Sequence, residues 1–91
     1  MKVKNLISKA GNPVVNQFEI QHNGERYFQS YRSIICMEDR KGQIWLDPDF
    51  WNYSRTTSTY RNQFLDEMIA TTRKKIESGE YKFKSLNKER S

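Results

Sequence analysis

Asn23-Gly24 constrains this chain more than any other pair of residues. Both positions tolerate positive φ, so between two alternating stretches they make a two-residue hairpin turn. Ahead of them Asn16 to His22 alternates, with Phe18 and Ile20 on one face and Gln17, Glu19 and Gln21 on the other. The turn sets His22 opposite Glu25, Gln21 opposite Arg26 and Ile20 opposite Tyr27. From Glu25 to Asp39 there is no Gly and no Pro. That continuity predicts one long, bent or bulged strand over 26–38. Asp39-Arg40-Lys41-Gly42 is the next turn, and Gln43 to Leu46 a short third strand. Residues 1–15 read as a basic lead-in, with Gly11-Asn12-Pro13 a loop signal.

Asp47-Pro48-Asp49 ends the strand run, and Pro48 opens a short helical turn over 48–53. The period then changes. Tyr60, Phe64, Leu65, Met68, Ile69, Thr72 and Ile76 form one stripe at helical spacing, predicting a long amphipathic helix over 57–78. Ser58, Thr57 or Thr56 caps its start, and Ser78-Gly79 its end. Glu80 to Leu86 alternates again as a last strand over 80–86, and 87–91 is a fraying tail. The expected architecture is a single α+β domain over 1–91. A small antiparallel sheet, a three-strand meander over 16–47 plus a short C-terminal strand, packs on one long helix.

The counts exclude several classes. With Cys36 the only cysteine, no intramolecular disulfide forms, which suits a reducing, cytoplasmic compartment. The longest apolar stretch, Ile34 to Met37, falls far short of the roughly 20 residues of a membrane span. Lys2, Lys4 and Lys9 lie in an N-terminus without the apolar run of a signal peptide. His22 is the only histidine, so zinc-ligand spacing is absent, and no glycine-rich phosphate loop occurs. His22 beside a turn and Cys36 inside an apolar strand do not make a catalytic dyad. Asp47 and Asp49 read as turn and helix-start acids, not as metal ligands. The expectation is therefore no catalytic residue, no metal and no cofactor.

Two constellations stand out as binding surfaces. Tyr53 to Asn62 holds seven hydroxyl residues, two arginines and no acid in ten positions. At a helix start this gathers free amides, hydroxyls, Arg55 and Arg61 into the makings of a partner- or phosphate-binding site. Its members are Trp51, Tyr53, Arg55, Thr56, Thr57 and Arg61. The structural alternative is that the hydroxyls cap the helix, Tyr53 and Tyr60 pack on Trp51, and Arg61 pairs with Asp47 or Asp49. The second constellation is a basic patch of Arg73, Lys74, Lys75, Lys82 and Lys84. Lys2, Lys4, Lys9, Lys88 and Arg90 join it if the termini and the helix end converge. Lys and Arg outnumber Asp and Glu by 16 to 11, a formal charge of +5, which suits phosphate backbones or simply solubility. Trp45, Trp51, Phe50, Tyr53, Phe28 and Tyr31 exceed what one helix covers, so a sheet face is left for a homodimer or a partner protein.

The run Trp51-Asn52-Tyr53-Ser54-Arg55-Thr56-Thr57-Ser58-Thr59-Tyr60-Arg61-Asn62-Gln63-Phe64-Leu65 resembles a signature of small bacteriophage-encoded proteins of unknown function. Tyr27-Phe28-Gln29-Ser30-Tyr31, Ser33-Ile34-Ile35 and Thr72-x-x-Lys75-Ile76-x-x-Gly79-x-Tyr81 extend the resemblance over residues 16–87. It implies a phage origin and action in the host cell cytoplasm, and assigns no catalytic residue. The expected role is a non-enzymatic accessory protein of host takeover. It would bind and inhibit a host nucleic-acid-handling or antiviral-defence protein, in the manner of an anti-CRISPR. The alternative is a small basic DNA- or RNA-binding regulatory protein.

Overall fold

Asn23 and Gly24 do take positive φ, 53° and 81°, and the loop pairs His22 with Glu25, Gln21 with Arg26 and Ile20 with Tyr27. In a computed structural model that describes residues 1–87, the chain runs β1 (Lys2–Ile7), β2 (Pro13–His22), β3 (Glu25–Ser30), β4 (Ser33–Glu38) and β5 (Ile44–Leu46). It continues through α1 (Arg55–Leu65), α2 (Ile69–Glu77) and β6 (Lys82–Phe83). The strands form one sheet in the order β1-β2-β3-β4-β5-β6. All neighbours are antiparallel except β5 and β6, which are parallel. The fold is α+β, but the expected three-strand meander on one long helix is replaced by six strands of mixed direction and two short helices.

Each departure has a local cause. The basic lead-in over 1–15 is strand β1 and the start of β2, and Gly11-Asn12-Pro13 belongs to their connection. The expected strand over 26–38 folds back at Tyr31-Arg32, since Ser30 pairs with Ser33. Tyr31 takes φ 56°, a left-handed value unusual for a bulky residue, and its N–H donates to Asn16 O at 2.7 Å. A bulge is present as well: Phe28 faces Cys36 and Gln29 faces Ile34, so Ile35 is the extra residue.

The helix expected over 57–78 stops at Asp66, which is left-handed at φ 56° and ψ 49°. The Glu67 N–H donates to Asn62 O at 3.1 Å, the closing bond of a Schellman stop. The break turns the Glu67 side chain inward. There it accepts from Thr72 Oγ1 at 2.6 Å, Tyr81 O–H at 2.8 Å and Lys75 Nζ at 2.9 Å. The cap of α1 is Ser54, whose hydroxyl accepts from the Thr57 N–H, and not Thr56, Thr57 or Ser58. The last strand is only Lys82–Phe83, and it runs parallel because a helical crossover carries the chain back to the same end of the sheet. Asn87, expected in a fraying tail, pairs with both backbone groups of Ile34, and residues 88–91 lie outside the described residues.

Both helices pack on one face of the sheet. Leu6, Phe28, Ile35, Cys36, Ile44 and Leu46 meet Phe64 and Tyr81 there, with Phe28 and Phe64 stacked at 5.9 Å. The polar side of β2 also faces the helices, with Gln17 and Glu19 buried. By alternation, Val3, Ile20, Tyr27, Met37 and Trp45 stand on the opposite face.

Candidate functional site

The elbow into α1 is organised by one buried acid. Asp47 Oδ1 accepts from the N–H groups of Asp49 and Phe50, at 2.9 and 3.1 Å. Its Oδ2 accepts from the Leu86 N–H at 2.8 Å and Asn87 Nδ2 at 3.0 Å. The Trp51 N–H returns to Asp47 O at 3.0 Å. This carboxylate therefore fixes the 48–53 turn against Leu86 and Asn87 and sets the position of Trp51.

Arg61 lies under that turn, fully buried. Its Nη1 donates to Trp51 O at 2.7 Å and Asn52 Oδ1 at 3.0 Å, with Ser58 Oγ more distant at 3.4 Å. Its Nη2 donates to Asn62 Oδ1 at 3.2 Å, and Nε has no partner. Neither Asp47 nor Asp49 pairs with it. Burial, and the nearby Arg73 charge, hold its pKa below the ordinary value. A guanidinium still stays protonated near neutrality. The result is a buried cation satisfied by neutral acceptors, an uncommon arrangement.

The other members of the elbow divide between interior and surface. Thr57 is buried, and its Oγ1 lies 3.1 Å from Ser30 Oγ. Arg55 and Thr56 are exposed on the first turn of α1. Tyr53 is exposed and meets Phe50 edge-on at 5.4 Å, not Trp51. Trp51 is partly exposed. The surface site expected from Trp51, Tyr53, Arg55, Thr56, Thr57 and Arg61 thus keeps Trp51, Tyr53, Arg55 and Thr56, while Thr57 and Arg61 support it from inside.

The basic patch divides in the same way. Lys75 is drawn onto Glu67 at 2.9 Å and lies 3.9 Å from Glu80. Arg73, Lys74, Lys82 and Lys84 are exposed. The Arg73 guanidinium lies 5.6 Å from the Trp51 ring, that of Arg61 5.3 Å, and Phe83 meets the same ring edge-on at 6.2 Å. Lys84 Nζ sits 4.6 Å from the Trp45 ring. Trp51 thereby joins the two constellations that looked separate in sequence. Phe83 was not singled out, although Lys82-Phe83-Lys84 alternates plainly. Lys2 and Lys4 do not join them, because β1 occupies the opposite edge of the sheet. Lys88 and Arg90 lie outside the described residues.

His22 is exposed at its hairpin and Cys36 is sealed in the core, where burial pushes its thiol pKa far up. Among the described residues no group of three His, Cys, Asp or Glu side chains is placed to hold a metal ion, and no helix is long and apolar enough to cross a membrane. A separate groove of about 510 Å³ is lined by Arg26, Glu38, Lys41, Gln43, Ile44 and Tyr81 among others, and Arg26 and Glu38 in its wall pair with each other at 2.9 Å.

A family model described as a family of unknown function (DUF8033) matches residues 1–82. The chain belongs to this family. No curated protein and no solved structure matches it. The DUF8033 match takes in β1 through α2 and the first residue of β6, so Trp45, Trp51, Arg61 and Arg73 lie within it and Phe83 and Lys84 beyond it.

Proposed function

We propose that the protein acts by binding and not by catalysis, and that its ligand is nucleic acid held at the Trp51–Arg73–Phe83 end of the sheet. The observation that carries this reading is the pair of guanidiniums over Trp51. Neither Arg61 nor Arg73 has a carboxylate within ion-pair distance among the described residues. Arg73, Lys74 and Lys82 have no carboxylate within ion-pair distance among the described residues, and Lys84, which faces Asp39, lies over the Trp45 ring; cations beside two indole rings suit phosphates flanked by bases. Four acids are engaged elsewhere: Glu19, Glu38 and Glu67 in ion pairs, and Asp47 on the turn. In keeping with the phage resemblance, the protein would act in the cytoplasm of an infected host.

Anisotropy of a labelled oligonucleotide tests this. Affinity falls steeply between about 50 and about 200 mM salt, and each phosphate-contacting cation reversed to Glu lowers the salt slope by about 1. Affinity that ignores salt, or that survives R73E combined with K82E and K84E, refutes it.

A second reading has its own support. Trp51, Tyr53 and Arg55 share one end of the molecule and are partly or fully exposed. They are the residue types that dominate protein interfaces. On that reading the target is a host nucleic-acid-handling or antiviral-defence protein, bound and inhibited directly. Capture of one defined host protein that survives nuclease, and is lost with Trp51→Ala more than with lysine changes, would favour it.

A further inference from the structure

The sheet face turned away from the helices carries a continuous cross-strand row. Register places Val3 beside Ile20, Ile20 beside Tyr27, Tyr27 beside Met37, Met37 beside Trp45, and Trp45 beside Lys82. Within the row Met37 is buried at 3%, while Tyr27 and Trp45 on either side are partly exposed. The profile is a shallow trough with a thioether floor and two aromatic walls. Both walls are fixed by their polar tips. Tyr27 O–H donates to Glu25 at 2.5 Å, and Trp45 Nε1–H donates to Asp39 Oδ2 at 3.0 Å. Lys84 lies over the Trp45 ring, and Lys82 closes the row at the β6 edge.

We propose that this face is a stacking track for single-stranded nucleic acid, with bases on Tyr27 and Trp45 and phosphates on Lys82 and Lys84. It rests on the nucleic-acid reading above and extends it from the Trp51 end onto the sheet. The two rings stand two strands apart, about 10 Å. Unstacked bases of an extended single strand span that separation, whereas duplex bases are paired and stacked at about 3.4 Å per strand residue and offer no free ring face. Charge separates this occupant from a second copy of the chain. Face-to-face two-fold pairing would set Lys82 and Lys84 over their own equivalents, or over Val3 and Ile20 at the far end of the row. Neither supplies an acid. Glu25 and Asp39 beside the row keep their negative charge while accepting from the ring tips, so a phosphate on Lys84 competes with Asp39 for that cation.

The chain has two tryptophans, so Trp51→Phe leaves Trp45 as the only indole reporter and Trp45→Phe leaves Trp51. The probe is an oligo-dT of about ten nucleotides, compared with a duplex of equal length. Oligo-dT quenches Trp45 in the Trp51→Phe protein, and the duplex binds at least tenfold more weakly. Tyr27→Ala and Trp45→Ala each weaken oligo-dT binding by about 5-fold to about 150-fold, from about 1–3 kcal/mol per stacked base. Tyr27→Leu keeps an apolar body on the strand and gives the same loss if either alanine variant fails to fold. Binding that quenches only Trp51, and that Tyr27→Leu leaves unchanged, overturns the track and leaves the Trp51-end reading standing. Absence of oligo-dT and duplex binding at low salt overturns both. A dimer by light scattering that shields Trp45 without nucleic acid assigns the face to a second copy and overturns the track.

Discussion

Replacing Arg61 separates the two things this side chain does. It carries a charge into the interior, and its planar fork ties the 48–53 turn to α1. Three of its hydrogen bonds are 3.2 Å or shorter, and bonds from a charged donor contribute about 1.5–3 kcal/mol each. Desolvating the guanidinium without a carboxylate costs several kcal/mol, so the two effects largely offset. What remains is the packing of the stem and the order of the turn. Arg61→Met keeps the length and removes the charge. Its cost is about 1–2 kcal/mol, because the acceptors left behind on partly exposed Trp51 and exposed Asn52 regain water. Arg61→Ala also loses the stem and costs about 3–4 kcal/mol. Arg61→Lys keeps the buried charge but cannot reach the same acceptors, and costs at least as much as Ala. Urea unfolding followed by circular dichroism, with unchanged m-values, gives the three differences. A chain of this length has roughly 5–14 kcal/mol in all, so the Ala and Lys variants lie well inside the measurable range. A Lys variant within 1 kcal/mol of wild type, or a Met variant worse than Ala, refutes the reasoning.

Three further outcomes follow from the same geometry. Burial raises the Glu67 carboxyl pKa, but its donors Thr72, Lys75 and Tyr81 outweigh that and hold it below 4.5; its stabilisation is therefore complete above the unfolded value and is lost as pH falls through the folded one. Urea midpoints should drop below about pH 4.5 in wild type and flatten in Glu67→Gln, and equal acid slopes in the two proteins would contradict this. Tyr27, chiefly through its bond to Glu25, and Tyr81, chiefly through burial, are both pushed up to about 12. Alkaline absorbance titration should show two of the five tyrosines ionising about two pH units late, with stability falling as pH rises from 10.0 towards 12. Tyr31→Asn relieves a bulky residue at φ 56° in an exposed turn and should raise stability by about 0.5–1 kcal/mol; any loss above about 0.5 would show that the Tyr31 ring does something beyond filling the turn.

Turns that announce themselves through residue chemistry were legible, and turns imposed by tertiary contact were not. Asn23-Gly24 fixed its hairpin and register outright. Tyr31-Arg32 contains neither Gly nor Asn, and its left-handed residue is held by Asn16, on another strand. Most of the helical stripe turns inward, since Phe64 and Thr72 are buried and Tyr60, Leu65 and Ile76 pack beside the core, but Met68, at the break, is 71% exposed. The stripe could not reveal the break at Asp66, because Phe64, Leu65 and Ile69 fit the same period whether or not the axis bends between them. The reward for bending is the Glu67 cluster, and its donor Tyr81 lies fourteen positions away. Strand β1 was missed: residues 1–15 read as a basic lead-in, because the lysines beside Val3 and the Gly-Asn-Pro loop signal outweighed the short Lys2-Val3-Lys4 alternation.

The same division decides the candidate site. That this chain carries excess positive charge is plain from composition; where the charge collects depends on strand order, which no local pattern encodes. Lys2 and Lys4 belong to the β1 edge and Lys82 and Lys84 to the β6 side, so these four described lysines do not form one patch. Trp51 is reached from three directions, by α1 through Arg61, by α2 through Arg73 and by β6 through Phe83. Only the parallel return of β6 brings the last of these into place. A polyanion that neutralised both edges would have to cross the full sheet, about 24 Å over five strand spacings. Lys2 and Lys4 alternate with Val3 and so stand on the helix side of that edge, whereas the side free of helices carries the Val3-to-Lys82 row.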